Sequence, residues 1–202
     1  MPRVFPGKIL LILLTAGSLL ATACAKTTLT SVWTDDTYHK TLQKIVVITM
    51  LWNPKNRPRL EDEFVRQLKA RGVDAVPGYK VVPEEKPPDK AVVAARLKES
   101  GADGLLLARL IDKNAGLRYT QDPAAYSLPQ YYSTWPTYYG GGYPMAQEAE
   151  FAVAEVALYD VDTEKLIWTA MSQTQLQNDR RALMESYVTY ILDSLRKQRL
   201  LP

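Results

Sequence analysis

Uninterrupted apolar segments and periodic apolar segments alternate in the first half of the chain. Residues 44–50 form a short, β-branched apolar run, which predicts a strand buried on both faces. Residues 59–71 follow with apolar side chains on one helical face, and Gly72 ends the pattern. The residues that define this face recur at four-residue spacing: Leu60, Phe64 and Leu68. The pattern therefore predicts a strand followed by a helix that covers it.

The same alternation continues to residue 111. Residues 73–76 predict a second short strand, and Asp89 is suited to cap a helix at residues 90–100. An apolar run at residues 102–111 predicts a third strand. This β-α-β-α-β order favours a parallel or mixed sheet with helices packed on it.

A hairpin and a helix are predicted after residue 147. Residues 148–160 alternate between apolar and polar side chains, and an irregularity at residues 152–154 predicts a β-bulge. Residues 165–171 predict the antiparallel partner strand. Asn178 is placed to cap a last helix, whose apolar face repeats every four residues: Leu183, Tyr187, Ile191 and Leu195. The predicted fold is a single α/β sandwich with a mixed sheet of about five strands, in the order β-α-β-α-β and then β-β-α.

Residues 112–147 interrupt this regular pattern with a long aromatic loop. The loop contains the triplet Gly140–Gly142, four prolines and eight tyrosine or tryptophan residues, among them Tyr131, Tyr132, Trp135, Tyr138 and Tyr139. Tyrosine and tryptophan are favoured in binding surfaces because they offer large apolar faces with little side-chain entropy to lose. These five residues are therefore candidates for contact with a partner, which is a protein, a glycan or a lipid headgroup. The alternative is an insertion without function, or one that packs on its own domain.

The first 23 residues have the pattern of an export signal. Arg3 and Lys8 give a positive start, and residues 9–23 are mostly apolar. As a helix, these fifteen residues would span about 22 Å, which is short of a hydrocarbon core of roughly 30 Å. A cleaved signal peptide at residues 1–23 is therefore favoured over a permanent transmembrane anchor.

The segment Leu20-Ala21-Thr22-Ala23-Cys24 closes this signal and resembles the lipobox of bacterial lipoprotein precursors. The resemblance implies that the signal peptidase recognises Leu20, Ala21, Thr22 and Ala23. It also implies that Cys24 receives a diacylglyceryl group on its sulfur and a third acyl chain on its new amino terminus, and no cofactor is predicted besides this covalent lipid. Two or more acyl chains would make a durable anchor. Cys24 is also the single cysteine, which rules out an intramolecular disulfide. The alternative is an ordinary signal peptide that leaves a free thiol.

These patterns divide the chain into three segments. Residues 1–23 are predicted to be the signal peptide, residues 24–43 a polar lipidated tether, and residues 44–202 a single α/β domain. After removal of Arg3 and Lys8, 23 basic residues face 22 acidic ones, a net charge of +1. This balance, without a dense basic cluster, does not suggest nucleic-acid binding.

Three segments together resemble small lipoproteins of Gram-negative bacteria that carry a domain of unknown function. They are residues 31–35, residues 61–64 with 72–75, and residues 101–103. The resemblance covers nearly all of the chain after Cys24 except the aromatic loop. It implies an envelope location but transfers no catalytic or ligand-binding residue.

Residues 158–163 and 166–168 are more distantly similar to a hairpin of the curli-secretion lipoprotein and of lipoproteins that activate penicillin-binding proteins. The order of elements is also similar to that of the amino-terminal domain of the Tol-system periplasmic protein. These relatives are binding or assembly proteins, so the resemblance implies a non-enzymatic role by analogy.

Catalytic and metal-binding residues cannot be assembled from the sequence. His39 is the single histidine and is expected at the surface of the tether, so neither a histidine pair for a metal nor a Ser-His-Asp arrangement is predicted. The acidic residues 61–63 are expected in the first turn of a helix, where the helix dipole favours them. Asp103, Asp160 and Asp162 suit turns.

The sequence therefore predicts a non-catalytic interaction or assembly module, anchored to a membrane of the envelope and facing the periplasm. The alternative is a periplasmic small-molecule or glycan-binding lipoprotein with a cleft at the strand ends. Ala25 follows Cys24 in place of the aspartate that is associated with inner-membrane retention in such lipoproteins. By that resemblance the outer membrane is the expected location.

Overall fold

The computed structural model describes residues 27–51, 53–83, 89–111, 151–176 and 178–202. In these ranges the strands are β1 (Thr27–Thr34), β2 (Lys44–Met50), β3 (Asp74–Pro77), β4 (Gly104–Ile111), β5 (Phe151–Asp160) and β6 (Leu166–Gln175). The α-helices are α1 (Arg57–Ala70), α2 (Gly78–Val81), α3 (Lys90–Glu99) and α4 (Arg180–Lys197), and a 3-10 turn, Pro54–Asn56, precedes α1. None of the described helices is long and apolar enough to cross a membrane.

The described strands form one mixed sheet in the order β1-β6-β5-β4-β2-β3. β4, β2 and β3 are parallel, whereas β4-β5, β5-β6 and β6-β1 are antiparallel. The α/β class and the mixed sheet are confirmed. The order of elements differs in detail from the prediction, because β1 precedes the predicted first strand and the short helix α2 follows β3. The strand count of about five is wrong, because six strands pair in the described part of the chain.

The sixth strand is β1, which lies in the segment predicted to be a tether. It pairs with β6 from Thr27 opposite Thr174 to Thr34 opposite Trp168. β1 lacks an apolar run because it packs weakly at the sheet edge: Val32 is 46% exposed. Edge strands tolerate polar side chains, since only one of their edges and part of one face are covered. Residues 27–34 of the predicted tether, 24–43, thus form a strand of the sheet.

Helices cover both faces of the sheet. α1 and α4 pack on one face, where their buried side chains Phe64, Leu68, Ile191, Leu192 and Leu195 meet the sheet. The rings of Phe64 and Tyr187 meet edge to face with centroids 6.1 Å apart. α3 packs on the other face through Val93 and Leu97. β2 is therefore buried on both sides, as predicted.

Local signals at the element ends were partly misleading. Asp89 caps α3 as predicted, but the cap of α4 is Asp179, which accepts from two backbone N–H groups, and not Asn178. The bulge predicted at residues 152–154 is also wrong, because all three residues pair in register with β6, and Val153 and Ala154 pair in register with β4 as well. The register instead shifts between Leu158 and Tyr159, at the approach to the hairpin turn.

The sheet has two ends that differ in their connections. The hairpin end carries the β5-β6 turn and the first residues of β2, β3 and β4. The Thr27 end carries the first residue of β1 and the last residues of β2, β3, β4 and β6. α1, α3 and α4 all begin at the Thr27 end, because each leads towards the hairpin end.

Candidate functional site at the Thr27 end

The residues predicted to carry function lie outside the described part of the chain. These are the lipidation site and its recognition segment, Leu20, Ala21, Thr22, Ala23 and Cys24, and the loop aromatics Tyr131, Tyr132, Trp135, Tyr138 and Tyr139. The structure does describe the residues from which both segments depart. The positions where these two segments connect to the sheet indicate which end of the domain lies close to them.

Both segments join the sheet at the Thr27 end. Thr27, three residues after Cys24, pairs with Thr174, and the hydroxyl oxygens of the two threonines lie 3.0 Å apart. Ile111 and Phe151, which flank residues 112–150, pair there with Val153 and Gln175. Three residues span at most about 11 Å, even when fully extended. The predicted anchor and the ends of the aromatic loop therefore share one edge of the domain.

The described surface of the Thr27 end combines basic and apolar side chains. Lys55, Arg59, Arg180 and Arg181 are exposed, and Leu176, between β6 and α4, is 41% exposed. Arg181 also pairs with Glu185 of α4 at 3.0 Å. An exposed leucine beside several arginines suits a surface that meets both apolar and anionic groups.

Glu61 is fully buried at this end of the sheet. Its Oε1 accepts from the backbone N–H of Thr49 (2.9 Å) and from Nε of Arg57 (2.7 Å), and its Oε2 accepts from the N–H of Tyr79 (2.8 Å). Nη2 of Arg57 also donates to the carbonyl of Val82 at 3.2 Å. Burial raises the pKa of Glu61, against the opposing effects of Arg57 and the two backbone N–H groups. The carboxylate ties α1 to the ends of β2 and β3.

This position is where an open parallel sheet commonly binds a ligand. The crevice forms between neighbouring strands that lead to opposite faces, as β2 leads to α1 and β3 leads to α2 and α3. Here Glu61 occupies the crevice and engages the N–H groups of Thr49 and Tyr79. The arrangement stabilises the fold rather than offering a site.

The sequence assignment of Glu61 to a first turn was wrong, because α1 begins at Arg57 and has no acidic residue in its first turn. The four-residue spacing of Arg57 and Glu61 would have predicted their ion pair, because it places both residues on one helical face.

A second buried charge lies on the sheet face that α3 covers in part. Glu155 of β5 is 2% exposed and pairs across the sheet with Nη2 of Arg109 of β4. Met50 and Met171 are register neighbours of this pair on β2 and β6. A buried carboxylate requires such a partner, because an isolated charge in the interior is costly. No local pattern indicates this pair, since the two residues are 46 positions apart in the sequence.

A shallow groove lies between α2 and α3. Its volume is about 430 Å³, and it is lined by Lys80, Val81, Pro83, Arg96, Glu99 and Ser100. It is open to solvent and of mixed charge.

Carboxylates at the hairpin end hold backbone turns, as the sequence predicted. Asp103 accepts from the backbone N–H groups of Gln43 (2.8 Å) and Lys44 (2.9 Å). Asp160, 2% exposed, accepts from the N–H (2.7 Å) and hydroxyl (2.8 Å) of Thr163 and from the hydroxyl of Tyr38 (2.9 Å). Both carboxylates therefore stabilise turns of the fold.

The remaining candidates for chemistry are dispersed. His39 is exposed, as predicted. Within the described ranges, no group of three or more histidine, cysteine, aspartate or glutamate side chains is arranged to hold a metal ion. The Thr27 end is the candidate site because the connections to Cys24 and to residues 112–150 depart from it.

Comparison with known proteins identifies no family. No protein-family model matches the chain, and no curated protein matches its sequence. The resemblances to lipoproteins with a domain of unknown function, and to the curli-secretion and penicillin-binding-protein-activating lipoproteins, stay predictions.

Similar arrangements occur among solved structures. A substituted form of the PelC dodecamer from Paraburkholderia phytofirmans has a TM-score of 0.46 and 16% identity, over 85% of this chain and 97% of that chain. A second PelC dodecamer structure from that organism has a TM-score of 0.46 and 14% identity, over 88% and 99%. Lipoprotein GNA1162 from Neisseria meningitidis has a TM-score of 0.41 and 11% identity, over 76% and 96%. These values mark a general similarity to small bacterial proteins that include a lipoprotein, and no residue role follows from them.

Proposed function

We propose that the chain is an envelope lipoprotein, acylated at Cys24, that acts as a non-catalytic interaction or assembly module. The observation that carries the proposal is the start of β1 at Thr27, three residues after the cysteine of the lipobox-like segment. A folded strand that begins directly after a cleavage site suits a mature domain that starts at that site. The outer membrane, with the domain facing the periplasm, is the proposed location.

The non-catalytic part of the proposal rests on how the buried acids are used. Among the described residues, the buried carboxylates are Glu61, Glu155 and Asp160. Each one is engaged by an arginine or by backbone and hydroxyl donors of the fold. A general acid or base needs access to a substrate proton, and these groups are committed elsewhere.

The aromatic loop is the proposed contact with a partner. Both of its flanking strands end at the Thr27 end, beside the exposed Leu176 and Arg180. A loop attached to two adjacent rigid strands presents its side chains from a fixed base, which favours binding. The proposed partner is an envelope protein or a glycan close to the membrane surface.

Capture from envelope extracts tests the interaction module. Replacing Tyr131, Tyr132 and Trp135 with serine should abolish capture of a partner after crosslinking, since the variant loses its main apolar contacts. Tyr190→Ser is the matched control, because Tyr190 is 43% exposed on α4, in the described domain. Equal capture by the wild type, the triple variant and the control would contradict the loop's role.

A small-molecule or glycan binder is the second candidate, and the groove between α2 and α3 favours it. Lys80, Arg96 and Glu99 give this groove charged groups of both signs. A binder should show thermal stabilisation by envelope glycan fragments, and Lys80→Ala should remove it. Stabilisation without an effect of Lys80→Ala would place the ligand elsewhere.

A further inference from the structure

The short connection from Cys24 to β1 restricts where the domain can sit. Thr27 is held in the sheet by its pairing with Thr174, so it cannot move away from the domain without breaking β1. Three residues reach at most about 11 Å. A lipid on Cys24 would therefore hold the Thr27 end at the membrane surface and leave no length for the domain to stand off.

The surface that this geometry brings to the membrane carries exposed basic residues. Lys55 and Arg59 are exposed beside the end of β2, and Arg180 and Arg181 are exposed at the start of α4. The buried acids at this end, Glu61 and Glu155, are paired with Arg57 and Arg109 and add no exposed negative charge. Exposed acids lie there as well: Asp89 and Asp179 accept from helix N–H groups, and Glu185 pairs with Arg181. At this end Arg59, Arg180 and Lys55 are exposed basic side chains without such an ion pair among the described residues.

An apolar side chain accompanies the exposed basic residues. Leu176 is 41% exposed in the short connection between Gln175 and α4. Arg180 follows four residues after Leu176. At a membrane surface such a leucine can enter the headgroup region while a guanidinium group stays in contact with phosphate. The starts of α1, α3 and α4 also turn their positive dipole ends towards this side.

We propose that the Thr27 end is a docking surface for anionic phospholipid headgroups, formed by Leu176 with Arg59, Arg180 and Lys55. The inference deepens the proposed function and rests on the acylation of Cys24. The strands then run away from the membrane, and the hairpin end, about 30 Å distant along a ten-residue strand, faces the periplasm. Acyl chains supply the anchor, and the basic surface fixes the orientation.

Position-specific quenching tests this orientation. The acylated protein has no free thiol, so Arg180→Cys and Asp162→Cys each introduce a single site for a fluorescent label at opposite ends. Both proteins are reconstituted in vesicles of phosphatidylethanolamine and phosphatidylglycerol that carry a headgroup-attached quencher. Quenching should be several-fold stronger at position 180 than at position 162. Equal quenching, or stronger quenching at position 162, would overturn the proposal.

Charge variants test the headgroup chemistry independently of the lipid. The mature Cys24→Ser protein should bind the same vesicles at low salt, and Arg59→Ser with Arg180→Ser should weaken binding about fivefold for each arginine removed. Lys69→Ser with Lys197→Ser removes the same charge from exposed positions near the other end and should have little effect. Equal weakening by both pairs would contradict a defined docking surface.

Intact mass separates the two possible failures. A wild-type protein that carries no acyl chains would contradict the anchor and the membrane orientation together. A protein that is acylated but equally quenched at both labelled positions would contradict the orientation alone.

Discussion

The two ends of the sheet use their polar side chains differently. At the hairpin end, Asp103 and Asp160 each accept two or more hydrogen bonds from neighbouring turns, and the backbone of Leu42 bonds to Leu200 near the C-terminus at 3.0 Å. At the Thr27 end, the exposed charges of Lys55, Arg59 and Arg180 have no such role in holding turns.

The difference indicates a division of labour along one axis. The hairpin end joins strands and helices by short, hydrogen-bonded connections, which restrict the backbone to one conformation. The Thr27 end receives the predicted anchor and both ends of residues 112–150. Stability is therefore expected to depend on the hairpin end and the core, and contact with other molecules on the surface of the Thr27 end. Glu61 and the helix caps Asp89 and Asp179 are exceptions to this division, because they hold backbone N–H groups at the Thr27 end.

Among these variants, replacing Glu61 is expected to lower the free energy of unfolding most, although Glu61 lies at the Thr27 end. Glu61→Ala leaves the buried Arg57 without its carboxylate and two backbone N–H groups without an acceptor. The free energy of unfolding should fall by about 3–5 kcal/mol, measured by denaturant titration. Asp62→Ala, at the exposed neighbouring position, is the control and should cost much less. Similar losses in the two variants would contradict a buried structural role for Glu61.

Replacing Asp160 should show that the hairpin end depends on its carboxylate. Burial acts to raise the pKa of Asp160, but Thr163, Tyr38 and Lys40 together hold the pKa below its ordinary value. Asp160→Asn should lower the free energy of unfolding at neutral pH by about 2–3 kcal/mol, since hydrogen bonds to a charged acceptor are lost.

The pH dependence of that loss has a defined sign. Because the pKa of Asp160 is lower in the folded state, its stabilisation is present above about pH 4 and disappears as the pH falls through the folded-state value. The difference between wild type and Asp160→Asn should therefore shrink below about pH 4. Asp162→Asn, in the same turn, is the control. A difference that is constant between pH 3 and pH 7 would contradict this account.

One glycine at each end of the sheet tests how tightly the backbone is packed there. A Cβ at Gly78, where α2 begins, would lie 2.6 Å from the carbonyl oxygen of Val47, whereas a Cβ at Gly104 would meet mainly the flexible side chain of Leu42, at 2.7 Å. Gly78→Ala should therefore cost about 2–3 kcal/mol and Gly104→Ala about 1 kcal/mol, by thermal or denaturant unfolding. A greater loss at Gly104 would show that the hairpin end is packed more rigidly than the contacts indicate.

The smallest effect on stability is expected at the exposed surface of the Thr27 end. Arg59→Ser and Arg180→Ser remove side chains that lie in solvent, so the unfolding midpoint should stay within experimental error. Vesicle binding should change while stability does not. A clear loss of stability in either variant would show that these arginines support the fold.

The sequence predicted most of the sheet because its central strands carry unambiguous patterns. β2 and the middle of β4 are continuous apolar runs, which arise where helices cover both faces. β1 was missed because its threonines and Ser31 pair at an edge, where burial leaves only a weak alternation. Propensity alone also misplaced the start of α1, since the turn Pro54–Asn56 leads directly into Arg57.

The candidate site was predictable only in its separate parts. Cys24 and the aromatic loop stand out by composition, but only the strand register shows that the connections from both meet at one end. Likewise, the partnership of Arg109 and Glu155 depends on the pairing of β4 with β5. Contacts between distant positions are set by topology, which a local pattern does not encode.

The most direct test of the central claim is the intact mass of the mature protein, measured for wild type and Cys24→Ser together with membrane fractionation. The account predicts that the wild type begins at Cys24, carries three acyl chains and floats with the outer membrane. Cys24→Ser should carry no acyl chain and should not float with the outer membrane. An unmodified wild-type protein that is free in the periplasm would contradict the claim. The function of a diffusing binding protein would then be favoured over that of an anchored module.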